Sequence, residues 1–243
     1  MGFSIGSTVR FGWDTFKKRP WLFIGAFLLF VIAQGLLDVL SSANEALFPI
    51  SDEDFLIADA LVDFAIHFGL GALISMGLTA FNLAAHDNPG TVKLFALWHP
   101  HPYWKFLGLS VLFSIVILAG VLLGFVLVDR FGLENGLAIG IPLLFVLGAI
   151  FWLTFMFAGF FVIDREVGPI EAMKESYRIT RGHRWSLLGL LLVLLLINLL
   201  GALALIVGLL VSAPVLLLAF AHAYRVLAGS AETRPADAAL AAV

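Results

Sequence analysis

"TVRFGWDTFKKRPWLFIG", residues 8–25, sets a basic segment rich in aromatic residues directly against an unbroken apolar run. Residues 91–108, "TVKLFALWHPHPYWKFLG", repeat its outline: Thr8 and Thr91, Val9 and Val92, Trp21 and Trp104, Phe23 and Phe106, and Gly25 and Gly108 coincide. A weaker third copy gives Trp185 and Gly189 the W-x-x-x-G spacing of Trp21 and Gly25. The second apolar run of each unit ends on a small residue followed by Phe, as Ala80-Phe81, Gly159-Phe160 and Ala219-Phe220. Internal repeats are a common route to membrane folds. The pattern predicts three units, about 4–85, 91–163 and 168–229, each a cytoplasmic amphipathic segment followed by a helical hairpin.

Composition agrees with that reading. With 61% hydrophobic and 13% charged residues and a mean hydropathy of +1.04, the chain lies far from the roughly 45–50% apolar, 25% charged usage of soluble domains. Apolar segments at 21–40, 64–85, 106–128, 137–163 and 185–229 are separated by short clusters of charge, Pro or Gly. The last is over twice the length that a hydrocarbon core of about 30 Å accepts, so it divides into two spans. Gly208, Ser212 and Pro214 mark the expected reversal, with Pro214 in the first turn of the final helix. The expected fold is therefore all-α: a polytopic membrane protein with six transmembrane helices, residues 1–230 forming one membrane domain and 231–243 a flexible tail. The first span, too long for a signal-peptide core, is read as a retained anchor.

Charge supplies the orientation, because Lys and Arg collect in cytoplasmic loops. With both termini cytoplasmic, 13 of the 14 Lys and Arg residues fall inside and only Arg130 outside. The segment from Ser41 to Asp63 is acidic and lacks a basic residue.

On a helix over about 4–19, Ile5, Val9, Trp13 and Phe16 share one face, while Arg10, Lys17 and Lys18 occupy the other. Val9, Trp13, Phe16, Lys17, Lys18 and Arg19 are thus expected as interfacial anchors, with Trp21, Trp104 and Trp185 heading the three hairpins. In the third unit Ile170, Met173 and Tyr177 form a comparable stripe, opposite the i,i+3 pairs Glu171/Lys174 and Glu175/Arg178.

Three segments carry a family resemblance: "FSIGSTVRFGWDTFKKRPWLFIG" (3–25), "IDREVGPIEAMKESYRITRGHRWSLLGL" (163–190) and "INLLGALALIVGLLVSAPVLLLAFAHAYRVLAG" (197–229). Together they resemble a broad group of uncharacterised bacterial six-helix membrane proteins, which is similar to the membrane domain attached to some glycerophosphodiester phosphodiesterases. The resemblance implies the bacterial inner membrane and no activity, since the chemistry of those phosphodiesterases belongs to a separate barrel.

Motifs for chemistry are few. Gly2-Phe3-Ser4-Ile5-Gly6 matches G-x-S-x-G but lacks the strand and sheet that a nucleophile elbow requires. His99 and His101, flanked by prolines, lack further ligands nearby. Absence of cysteine excludes thiolate sites. Neither metal nor cofactor is expected, and no nucleic-acid partner. The candidate ion or proton site is Asp59, Asp63 and His67, at i, i+4 and i+8 on one helical face, with Gln34 and Asp38 in the same outer half. Asn82, Asn198 and His222 are expected to make polar contacts between helices within the membrane. The chain is therefore expected to be a non-catalytic scaffold or accessory factor, its partners the bilayer and another membrane or cytoplasmic protein. The alternative is a small permease with an acidic outer vestibule.

Overall fold

The computed structural model describes residues 3–47, 65–203 and 207–240, and all its elements are helical. Asp59 and Asp63 lie outside the described residues.

Helix α1 (Ile5–Lys18) stops where the sequence requires it to. Arg19 precedes a proline, which disfavours the α region, and it adopts φ −147°, ψ 62°. Pro20 then opens α2 (Pro20–Leu47), where its missing N–H costs little. Further along the chain, Ile66–Leu70 take the wider π winding and lead into α3 (Gly71–Asp87).

The connection after α3 departs from the repeat pattern. Residues 91–108 do not form an amphipathic helix; the segment turns, makes one short 3₁₀ turn at Leu94–Leu97 and runs back along α3. Gly77 has no side chain, and the Leu97 carbonyl occupies the place of its Cβ. The Tyr103 hydroxyl donates to the Gly69 carbonyl at 3.1 Å. Pro100 and Pro102, which lack N–H donors, explain why no helix heads this unit.

Residues Tyr103–Phe155 form α4, whose 53 residues would be about 80 Å long if straight. The helix folds back at Gly132, which has φ +77° and ψ 167°. Gly120 and Gly124 face Leu144, and a Cβ on Gly136 would come within 2.5 Å of the Val128 backbone. These glycines pack within the hairpin. After a turn at Met156 and Phe157 come α5 (Ala158–Arg165), which ends at Glu166 in the left-handed region, and α6 (Pro169–Thr180). The turn frees the Thr154 carbonyl, which accepts from Ser176 Oγ at 2.9 Å and Thr180 Oγ1 at 3.2 Å.

Helices α7 (Arg184–Leu203) and α8 (Val207–Leu240) close the chain. Gly201 and Gly208 meet backbone to backbone, so the chain reverses before Gly208 rather than at 208–214, and Pro214 lies inside α8 instead of in its first turn. The α8 helix continues through Leu240, past the boundary expected at residue 230.

The core lies around α8. Met76, Phe157, Phe161, Leu187, Leu190 and Leu218 are fully buried there. Both short amphipathic helices bury small residues that hydrophobic periodicity does not select. On α1 the buried residues are Thr8, Gly12, Thr15 and Phe16; on α6 they are Ala172, Ser176, Ile179 and Thr180. Small side chains let the backbones approach: a Cβ on Gly12 would lie 2.6 Å from the Val215 carbonyl. Trp13 and Ile170 remain outside, 45% and 63% exposed.

Candidate functional site

Polar side chains gather at the two ends of the segment that runs from His67 to Asp87. At its start, His67 Nε2 lies 3.2 Å from Asp38 Oδ1. The pair opens on a cavity of about 440 Å³ whose polar wall also includes Gln34, Ser75 and Ser110. A π turn carries His67; such insertions re-aim side chains and recur at functional sites. Of the expected triad, only His67 can be placed, and its observed partner is Asp38.

At the other end a larger network joins α3, α5 and α8. Arg225 grips Asp87 as a fork, Nε to Oδ1 at 3.1 Å and Nη2 to Oδ2 at 2.6 Å, while its Nη1 donates to Asp164 Oδ1 at 2.6 Å. Bidentate charge-assisted bonds of this kind are the strong ones. The Tyr224 hydroxyl donates to Asp164 Oδ2 at 2.7 Å, beneath Phe157, Phe160 and Phe161. His86 Nδ1 lies 3.0 Å from Asp87 Oδ1, and its Nε2 lies 3.1 Å from His222 Nδ1. Phe11 of α1 covers both imidazoles, stacked on His222 at 4.1 Å and tilted over His86 at 4.7 Å.

The hydrogen-bond pattern limits the protonation states. When neutral His86 donates from Nδ1 to Asp87, its Nε2 must accept from His222 Nδ1. One added proton reverses only that second bond, His86 then donating at both nitrogens; a second would leave two cations facing each other. Two carboxylates and one guanidinium give the network a charge of −1 with neutral histidines, which one proton neutralises. The nearby Arg165 is engaged separately, 3.9 Å from Glu175 and over the Phe161 ring.

Of the other expected polar residues, Asn198 Oδ1 accepts from Ser212 Oγ at 3.0 Å and so ties α7 to α8. Asn82 is buried, but its Nδ2 donates to the Leu78 carbonyl of its own helix rather than across an interface. The sequence pattern singles out His222, whereas His86, Asp87, Asp164 and Tyr224 carry no motif, and Arg225 enters only among the orienting charges. A register signal was available: six residues beyond the small member of each small-Phe pair stand His86, Arg165 and Arg225.

Trp21, Trp104 and Trp185 each occupy the second position of a helix and are 84%, 79% and 87% exposed. Val9 and Phe16 pack into the core. Lys17 lies over the Trp13 ring and pairs with Asp14 at 2.9 Å; that hydrogen bond holds the Asp14 carboxyl below the usual carboxylate range. Lys18 is exposed. Arg19 Nη1 donates to the Val92 carbonyl at 2.6 Å, fastening the α1/α2 joint to the connection that follows α3.

Among the described residues, five stretches are long and apolar enough to cross a membrane: Pro20–Ala43, Ile66–Asp87, Tyr103–Arg165, Arg184–Leu203 and Gly208–Ala231. No group of three or more His, Cys, Asp or Glu among them is disposed to hold a metal ion. The family described as "Domain of unknown function (DUF7847)" matches residues 3–243. No curated protein and no solved structure matches the chain.

Proposed function

We propose, since the chain belongs to the DUF7847 family, whose description carries no activity, that it is a non-catalytic multi-pass protein of the bacterial inner membrane, acting as a scaffold or accessory factor. One observation carries the reading. The polar groups divide between the two ends of the His67–Asp87 segment, and the stretch between them is closed by the fully buried Met76 and by Ala80, Phe81 and Leu83. A transport pathway needs polar groups that converge; here they hold helices together. The surface left for recognition is the outward side of α1 and α6, where large apolar and charged residues stand beside each other.

With the α4 hairpin counted as two arms, the apolar helices make six crossings, with both termini cytoplasmic by the distribution of Lys and Arg. The three exposed tryptophans at corresponding helix positions support a threefold repeat and suit an interfacial belt. Bilayer and partner protein are the proposed contacts.

The His67–Asp38 pair in its polar cavity favours a second reading, a small permease with an acidic outer vestibule. Purified protein in liposomes separates the two. The scaffold reading expects proton and cation flux no higher than in protein-free liposomes; flux that disappears with Asp38→Asn and with His67→Ala would overturn it.

A further inference from the structure

The connection that runs back along α3 leaves an apolar groove of about 420 Å³, lined by Leu29, Phe30 and Ala33 of α2, Leu73 and Ile74 of α3, and the 94–98 turn. Phe95 and Trp98 stand exposed on its wall. One end of this groove is cationic. Lys93 directly precedes Leu94, so its Cα is about 3.8 Å from that of a groove residue, and its flexible stem can lie along apolar surface with the ammonium outside. The Lys93 side chain is exposed and makes no hydrogen bond or ion pair among the described residues. Arg19 is tied to the same turn, because its Nη1 donates to the Val92 and Gly90 carbonyls. No carboxylate answers either cation among the described residues. An anion drawn to this turn is attracted by both cations.

We propose that this groove binds one anionic phospholipid, its phosphate on Lys93 and Arg19 and an acyl chain against Ala33, Leu73 and Trp98. An apolar trough with a basic mouth complements a molecule with a long apolar tail and a negative head. A second copy of the chain does not fit this chemistry, because its Lys93 and Arg19 would add like charge. The site rests on the membrane residence proposed above, not on the scaffold role.

The test uses the full chain purified in detergent, offered equimolar phosphatidylglycerol and phosphatidylcholine, with retained lipid counted by native mass spectrometry. One phosphatidylglycerol should be retained in preference to phosphatidylcholine. Lys93→Gln, at an exposed position, should reduce the preference about fivefold, the effect of one cation at an anionic lipid. Ala33→Trp should expel the lipid by filling the groove, and Leu73→Phe provides a milder filling should that variant fold poorly. Lys18→Gln should leave retention unchanged. Equal retention of the two lipids, a Lys93→Gln variant that behaves as wild type, or a lipid-free dimer would each overturn the site. A chain that inserts into liposomes but retains both lipids alike contradicts only this proposal; one that fails to insert contradicts the membrane reading beneath it.

Discussion

The α4 hairpin and the α3/α8 pair draw on nearly the same alphabet of Leu, Val, Ile, Phe, Ala and Gly, yet they use it in opposite ways. In the most apolar run of 18 consecutive residues of the Tyr103–Arg165 stretch none is buried, against 50% of the corresponding run in Ile66–Asp87 and 44% in Gly208–Ala231. In the hairpin, glycines let two arms of one helix close on each other, and Phe113 meets Phe151 at 5.2 Å; the larger side chains point away from the protein. Around α8 the same residue types interlock, and the polar groups at the helix ends are tied together through Arg225. Apolar composition alone therefore does not make a core. In water so much exposed apolar surface would be a liability, whereas in a bilayer it is the solvated face.

Substitutions should separate the two regions. Truncating the fully buried Phe161 to Ala is expected to cost about 3–5 kcal/mol, while Phe125→Ala in the exposed hairpin should cost under about 1 kcal/mol; thermal unfolding in one detergent compares them. Equal losses would erase the distinction. Arg225→Ala leaves Asp87 and Asp164 without their cation and should cost about 3 kcal/mol, the low end for a broken buried pair because the site is only half-buried. Arg130→Ala, at an exposed hairpin position, should change stability by no more than about 0.5 kcal/mol. Gly12→Leu forces a side chain into the Val215 carbonyl and should destabilise by about 1–3 kcal/mol, read as earlier proteolytic release of α1. Ser176→Ala leaves the Thr154 carbonyl one donor fewer, for about 1 kcal/mol. The smallest effect is at Asp14. Its carboxyl is depressed by Lys17, so its support of α1 is present above pH of about 4 and fades as pH falls through its lowered value. Loosening of α1 in acid, followed by backbone chemical shifts, should be absent in Asp14→Asn.

Much of the helical layout was readable along the chain. The helix expected over about 4–19 forms as Ile5–Lys18, the long apolar segment from 185 divides into two helices, and Asn198 bonds across an interface. Other features needed three dimensions. Hydrophobic periodicity locates large apolar groups, but α1 and α6 also pack through Thr8, Gly12, Ser176 and Thr180 because close approach favours small residues, and of the two stripes Trp13 and Ile170 stay exposed while Phe16 is buried. The path of residues 88–102 back along α3 depends on the missing side chain of Gly77, a contact that spacing does not reveal. The Asp87–Arg225–Asp164 network joins residues far apart in sequence. For the acidic candidates, the described residues extend to His67 and its pairing with Asp38.

The central claim is that the exposed hairpin lies in lipid, with its Gly132 turn outside and the Arg225 network on the cytoplasmic side. A chain without cysteine suits single-cysteine labelling with a membrane-impermeant maleimide on intact spheroplasts. Glu134→Cys should be labelled from outside, Arg181→Cys only after permeabilisation, and Phe125→Cys in neither case. Labelling of Phe125→Cys on intact spheroplasts, or of Glu134→Cys only after permeabilisation, would contradict it.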